Sequence, residues 1–517
     1  METSETPQDE RDRRGRRRNI VGVLWVVGLV FGLCGCGGGG AWEDAPVRYP
    51  SLVQDSAHIP GADEPAAWWV WHRTGAPQAE EMAVWREQGV GSLFWHLADF
   101  APSPDGGGSG GWRWRPLAQP EARQEIDMVP VVRIHPHASF FEQVVGEDQG
   151  RRFFGGSDGD GLAAWRGFPE VQFDFDCPTR LLEEYAGFVR QVRGRVWEWA
   201  PEQRVSVTAL AGWIDAEGLA ALAAEVDALF PMFYDLDADR AEDVRSGRWL
   251  PFADAAVHGR WIRKWAACPV PWVAGLPNFA RVSVFGEEGG LRGHLRSWQW
   301  DELVFHPDLR VDEDAVPAPG VLALRVERSG SLAGVEIAAG DRVVVRRPDL
   351  GVLRDLQGQA VAAGARGVCW FRLPGRGGPD AWSVSQIVRG GDPELELIRQ
   401  DDGRLRLGNR GDGDLPPRFK GRDGTGDRGW KLEIDVSEAG GFAGASPGEF
   451  VRMAAHAEPE VEGAARVHPT EARRLTFWFS HLPAGEEILT GVIALTNIDG
   501  ETRIRWRVDH DEWSFLP

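Results

Sequence analysis

Lysine, tyrosine, cysteine and methionine are all scarce in this 517-residue chain. Three lysines (Lys264, Lys420 and Lys431) stand among 57 basic residues, so nearly all positive charge is arginine. Positive charge is itself in deficit, because 78 acidic residues leave a net charge of -21. A nucleic-acid binder needs a basic face to neutralise phosphate, and this balance repels polyanions. Five cysteines exclude a dense disulfide framework. No G-x-G-x-x-G follows the first strand-like run, which argues against a dinucleotide fold, and no P-loop occurs. The 65 glycines and 34 prolines lack a period, so collagen-like and wholly disordered readings fail. What is abundant is tryptophan, 25 against 3 tyrosines, within a hydrophobic content of 43% that is ample for a core.

The first 36 residues read as an export signal. Six arginines lie between Arg11 and Arg18, followed by the uncharged run Ile20 to Leu33. As a helix this run rises only about 21 Å, short of the roughly 20 residues that span a bilayer. A basic region followed by an apolar run of this length is the pattern of a signal peptide. Leu33-Cys34-Gly35-Cys36 resembles a bacterial lipobox, which implies that Cys36 becomes the acylated N-terminus. Residues 37–64 have no periodic apolar pattern and read as a flexible tether. The chain is therefore expected to be exported and held on the cell membrane or outer membrane through its lipid.

From residue 65 to about 390, apolar strand-like runs alternate with helical stripes. Eight candidate strands begin near Ala67, Ser92, Val129, Val171, Val205, Leu229, Val270 and Val368. Several are apolar almost throughout, as parallel strands covered by helices must be. Helices are expected over Pro77 to Gln88, from Thr179 as cap through Val192, from Asp215 as cap through Leu229, and over Asp349 to Ala363. Eight such units predict an α/β fold, a (β/α)8 TIM-like barrel, with an open doubly wound sheet as the alternative. Insertions fall at the glycine-rich residues 105–111 and at 320–347, the latter an extra hairpin. After Gly390 the helical stripes vanish. Short alternating runs separated by Asp-Gly turns predict a β-sandwich-like domain over 391–517.

Barrel chemistry sits at the C-terminal ends of the strands. In the fourth strand, period two puts Gln172, Asp174 and Asp176 on the inward face and Phe173 and Phe175 toward the helices. Two adjacent inward carboxylates repel, which raises one pKa and supplies a proton donor beside a charged partner. Asp174, Asp176, Tyr234 and Asp235 are the candidate catalytic residues. Other strand ends supply candidate substrate contacts: Trp71, His72, His96, Arg133, His135, Asn278, Trp370 and Arg372, with Gln172 and Trp213. Flat indoles around a polar floor are a common way of holding sugar rings, although most tryptophans in any protein are core. His135-Pro136-His137 lacks a third ligand, so no metal and no cofactor is expected.

The strand motifs WVWHR at Trp69, SLFWHLADF at Ser92, PVVRIHP at Pro130, VQFDFDCPT at Val171, SVTALAGW at Ser206 and CWFRLPG at Cys369 resemble a bacterial family of unknown function, number 3142. That resemblance implies an exported barrel related to glycoside hydrolases and brings no established activity. A fainter likeness is to glycoside hydrolase family 18, whose fourth strand carries D-x-x-D-x-D-x-E. Asp174 and Asp176 match its middle positions, while Val171 and Pro178 stand at its ends, so the acid glutamate is missing. Pro231 to Asp235 resembles the sixth-strand M-x-Y-D of that family, and Trp370 its eighth-strand tryptophan. These likenesses imply a carbohydrate partner. A monomeric lipoprotein that hydrolyses a glycan is the leading expectation; a glycan binder without turnover and a structural envelope protein are the alternatives.

Overall fold

The computed structural model describes residues 66–516 except 72, 74–76, 103–111, 118–125, 138–139, most of 145–164, 376–380, 420–427, 437–440, 458–466, 497–503 and 510–513. The expected signal segment with Cys36, the tether at 37–64, His72 and the loop at 105–111 lie outside the described residues.

Eight parallel strands close into a barrel. They are β1 (Ala66–Val70), β2 (Val90–Pro102), β3 (Asp127–Ile134), β4 (Glu170–Asp174), β5 (Arg204–Leu210), β6 (Ala228–Met232), β7 (Ala274–Pro277) and β8 (Val368–Phe371). Each pairs with its neighbours in sequence order, and β1 pairs with both β2 and β8, which closes the ring. All eight expected strands are present. Strand β2 runs on past the barrel and pairs antiparallel with Trp112–Pro116.

The two faces of the strands serve two cores. Residues such as Trp68, Leu93, Val132, Phe173, Val207 and Leu276 point outward into the layer beneath the helices. Ala67, Trp69, Phe94, Val131, Phe230 and Cys369 fill the barrel itself. Trp69 is large for that interior, and Gly275 makes its room: a Cβ there would lie 2.9 Å from the indole. The Trp69 Nε1 donates to Gln172 Oε1 at 2.7 Å, so the one polar atom of this buried ring is satisfied inside the barrel.

The helices that matter for the outer layer are α1 (Ala79–Glu87), α2 (Leu182–Trp199), α3 (Ala255–Trp265) and α4 (Leu350–Ala362). Asp349 caps α4 as expected, accepting from the Val352 amide at 3.1 Å. Thr179 does not cap α2, because a 3-10 turn over Thr179–Leu181 precedes the helix. Nor does Asp215 begin a long helix; it ends a 3-10 turn and pairs with Lys264, and only Leu219–Ala223 is helical before β6.

The expected hairpin near 320–347 is part of something larger. Between β7 and β8 lies a five-stranded antiparallel sheet built from Arg281–Phe285, Leu291–His294, Leu309–Val311, Val321–Val326 and Arg342–Arg346. Its own core includes Val282, Trp298, Trp300, Leu324 and Val343. Strands of three to six residues carry too little period-two signal to stand out singly in sequence, and only Val321–Val326 and Arg342–Arg346 were legible.

After β8 comes one short helix (Val384–Val388), and beyond Gly390 the described residues are β apart from a 3-10 turn at Pro469–Glu471. A three-stranded sheet (Leu395–Arg399, Leu405–Asn409, Glu487–Leu489) and a five-stranded sheet centred on Trp430–Val436 share one core through Leu397, Leu407, Leu432, Ile434, Leu475 and Phe477. The chain is thus an α/β TIM-like barrel followed by a β region with sandwich character.

Candidate active site

At the C-terminal mouth, β4 delivers its carboxylates as the period-two reading expects. Val171, Phe173 and Phe175 pack into the helix layer, while Gln172 and Asp174 face the barrel interior and Asp176 follows in the same phase just past the strand end. Gln172 is fully buried one layer below the mouth, bonded to Trp69 and, at 3.4 Å, to Ser206 Oγ. It is a barrel-filling amide and is out of reach of a ligand, which corrects its assignment as a substrate contact.

Asp174 is anchored. Thr208 Oγ1 on β5 donates to Asp174 Oδ1 at 2.8 Å, and Arg133 Nε on β3 stands 4.0 Å from Oδ2. Burial raises the Asp174 pKa, with Arg133 and Thr208 opposing. Asp176, just past the strand end, is open to solvent and has no hydrogen bond among the described residues. Surrounding protein and then the Asp174 charge push its pKa up to about 6, against the pull of Arg133.

Strands β2 and β3 supply a second polar group. His96 Nε2 lies 3.0 Å from Asp99 Oδ1, and His135 Nε2 lies 3.8 Å from the same oxygen. Burial acts to raise the Asp99 pKa, but the bonds to His135 and His96 dominate and hold its carboxyl well below the usual range. Trp71, at the end of β1, stacks flat on the His96 ring with centroids 4.1 Å apart. Asp99 was visible in the sequence only as a strand-end acid. A bulge between His96 and Ala98 shifts the β2–β3 register, which brings residues three apart to one side; strict alternation would separate them.

Strand β6 contributes Tyr234 and Asp235. Tyr234 is stacked on Phe371 (5.5 Å, 22°) and lies edge-on to Phe279. Burial, then the charges of Asp174, Asp176 and Asp235, raises its pKa well above the usual phenol value, so it presents an O–H to the mouth. Asp235 is exposed, adopts a left-handed backbone (φ 55°), and is held by Arg281 of the inserted sheet. Its carboxylate is thus paired with Arg281 at the edge of the inserted sheet.

Three further expectations fail for stated reasons. Trp370 is 3% exposed and packs against Trp68 in the helix layer; its neighbour Phe371 shares the inward phase of Cys369 and reaches the mouth, edge-on to Trp71 at 5.6 Å. Trp213 is fully buried in the same helix layer, because the 3-10 turn after β5 packs against α3, where Trp265 Nε1 donates to the Ala211 carbonyl, and its ring meets Tyr185 of α2 edge-on. Asn278 is fully buried and saturated: its Nδ2 donates to the Trp382 and Arg372 carbonyls at 2.9 and 3.3 Å, and its Oδ1 accepts from the Trp382 amide at 3.1 Å. It ties β7 to the segment after β8. Arg372 follows Phe371 and is half-buried, its carbonyl being one of those that Asn278 holds.

The mouth therefore brings together Trp71, His96, Asp99, Arg133, His135, Asp174, Asp176, Tyr234 and Phe371, from six of the eight strand ends. Among the described residues, no group of three His, Cys, Asp or Glu is placed to hold a metal ion. The arrangement offers one raised carboxyl, one anchored carboxyl, a protonated phenol and aromatic walls.

Several solved structures are similar to this chain. The Bacillus cereus spore cortex-lytic enzyme SleL is 12% identical over 63% of this chain and 73% of its own, with a TM-score of 0.38. Chitinase ChiA74 from Bacillus thuringiensis is 11% identical over 86% and 100%, with a TM-score of 0.39. A glycoside hydrolase family 18 N-acetylglucosaminidase from Paenibacillus barengoltzii is 13% identical over 60% and 95%, with a TM-score of 0.35. No curated protein matches the chain. Residues 160–335, which hold β4 to β7 and most of the inserted sheet, match the family described as Domain of unknown function (DUF3142), the family that the strand motifs resemble.

Proposed function

We propose that this protein is an exported, lipid-anchored glycoside hydrolase of the cell envelope that cleaves a glycan across its barrel mouth by carboxylate acid–base chemistry. The observation that carries this reading is the Asp174–Asp176 pair. Glycosidic cleavage needs a carboxyl that gives a proton to the leaving oxygen and a nearby group that stabilises positive charge on the sugar. Burial raises both carboxyls and Arg133 opposes the rise in both, but only Asp174 also accepts the Thr208 bond that favours an anion, so in this reading the charge sits on Asp174 and the shared proton on Asp176. Asp176 is the general acid, exposed to solvent and, among the described residues, with no bond to break before transfer. Tyr234 donates its O–H to a reacting oxygen, and Trp71 and Phe371 offer ring faces for the C–H side of a sugar. Anchoring at Cys36 rests on the arginine run, the apolar run and the lipobox; Cys36→Ser should move the protein from the membrane to the soluble fraction.

The test is hydrolysis of a polysaccharide panel, chitin among it, by the wild type and Asp176→Asn. Cleavage by the wild type alone supports the proposal. Cleavage of nothing, or equal cleavage by both, removes it. A second reading, glycan binding without turnover, is favoured by one observation: Pro178 stands where the family-18 strand carries its acid glutamate. Retention on a glycan with no product released would select it.

A further inference from the structure

A cavity of about 480 Å³ lies away from the mouth, walled by the barrel flank, the inserted unit and the β region. Trp85 of α1, Trp300 of the inserted unit, Trp382 after β8 and His481 of the β region all face it. Most of its polar groups are already satisfied. Arg73 donates to Glu81 at 2.6 Å and to the Pro374 carbonyl at 3.2 Å, with its guanidinium 4.8 Å from the Trp85 ring centroid. Asp414 accepts from the amides of Ser383 and Ala484, each at 2.8 Å. The Trp382 Nε1 donates to the Pro348 carbonyl at 2.8 Å.

Arg347 is the exception. Its guanidinium lies 3.9 Å from the Trp382 ring centroid and, among the described residues, makes no hydrogen bond and no ion pair. Burial lowers its pKa to about 10, with Asp414 and Asp349 opposing from a distance, so it remains a cation throughout the neutral range. Arg347 is half-buried against the Trp382 face, and its planar fork is left facing the cavity for water or for an anion that fits it better.

We propose that this cavity is a second ligand site, taking an acidic mono- or disaccharide whose carboxylate pairs with Arg347 while its ring lies against the indoles. The volume is in the range of small-ligand pockets and excludes a polymer. The lining also carries Glu80, Glu81, Asp414 and Glu486. Their field opposes anions in proportion to charge, so a polyanion is excluded first and a monoanion is held only by pairing directly with Arg347. The indole faces select a ring over a bare carboxylate. The site owes nothing to the chemistry of the mouth.

The experiment is titration of the full chain with sodium glucuronate, glucose and acetate, followed by tryptophan fluorescence and calorimetry. The variants are Arg347→Met, Arg347→Lys and Asp176→Asn. Saturable glucuronate binding is expected, equal in the wild type and Asp176→Asn, at least tenfold weaker in Arg347→Met, and absent for glucose and acetate at the same concentration. If Arg347→Met loses its near-ultraviolet circular dichroism, Arg347→Lys decides, with at least a threefold loss expected because the ammonium keeps the charge but not the fork. The proposal is overturned by absence of saturable glucuronate binding, by glucose or acetate binding equally well, by unchanged affinity in the folded arginine variants, or by loss of binding in Asp176→Asn, which would place the acidic sugar at the mouth.

Discussion

The two ends of β4 both carry a carboxyl facing inward, and they are built in opposite ways. At the N-terminal end Glu170 is 5% exposed and accepts a hydrogen bond from Ser206 Oγ at 2.5 Å and another from Arg204 Nε at 3.1 Å. Burial raises its pKa, and Arg204 and Ser206 oppose that rise. Asp227, before β6, repeats the pattern with Arg193 at 2.9 Å and the Val205 amide at 2.8 Å. At the C-terminal end Asp176 has no such partner among the described residues, and burial and the like charge of Asp174 raise its pKa against Arg133. Carboxylates at the bottom of the barrel join strands; the one at the top is left able to exchange a proton.

The largest expected effect breaks this contrast in activity. Asp176→Asn should lower the rate of glycan hydrolysis by roughly 10²–10⁴-fold, the usual contribution of a positioned general acid. Glu170→Gln, which keeps the shape and most hydrogen bonds, should leave the rate within about threefold. A comparable loss in both variants would mean that the rate reports barrel integrity and not proton transfer. The next effect breaks the contrast in stability. Glu170→Ala leaves Arg204 and Ser206 without their acceptor and should destabilise the fold by roughly 3–5 kcal/mol in urea unfolding. A loss below about 1 kcal/mol would show that the lower carboxylate is dispensable.

The barrel was legible because its strands are apolar on both faces and its helices carry clear stripes. The phase of β4 was legible too, since a run such as Val171 to Asp176 alternates without interruption. Where the phase was lost, the site was misread. Trp370 offers an indole at a strand end, but Cys369 and Phe371 set the inward phase and leave it outside. Asn278 and Gln172 look like binding amides in sequence, and only tertiary packing shows that their hydrogen bonds are all taken. Asp99 joined the site through a bulge, which no alternation pattern encodes. The partner of Asp235 is Arg281, and that pairing depends on an inserted sheet whose strands are too short to read singly.

The pH dependence sharpens the contrast further. A general acid acts only when protonated, and Asp176 titrates at about 6. The rate should fall about tenfold per unit on the alkaline side of 6, and fall again at acid pH as Asp174 takes up a proton. An alkaline-side fall centred near 4 instead would mean that Asp176 ionises as an ordinary carboxyl and that its surroundings do not tune it.

The smallest effect tests whether the upper carboxylate is held against its own preference. Its pKa is raised on folding from 3.8 to about 6, so the folded state binds the proton more tightly than the unfolded chain. The stability this contributes is full below about pH 4 and is lost as pH rises through 6. Asparagine does not ionise and escapes that loss. Asp176→Asn should match the wild type near pH 4, draw ahead between 4 and 6, and stay ahead above 7. The gain should be only ~1 kcal/mol, well under the full value of the shift, because water reaches the side chain. Urea unfolding at a series of pH values measures it. If the variant is instead less stable at neutral pH, the Asp176 anion has a favourable partner in solution, and the top of β4 is built like the bottom.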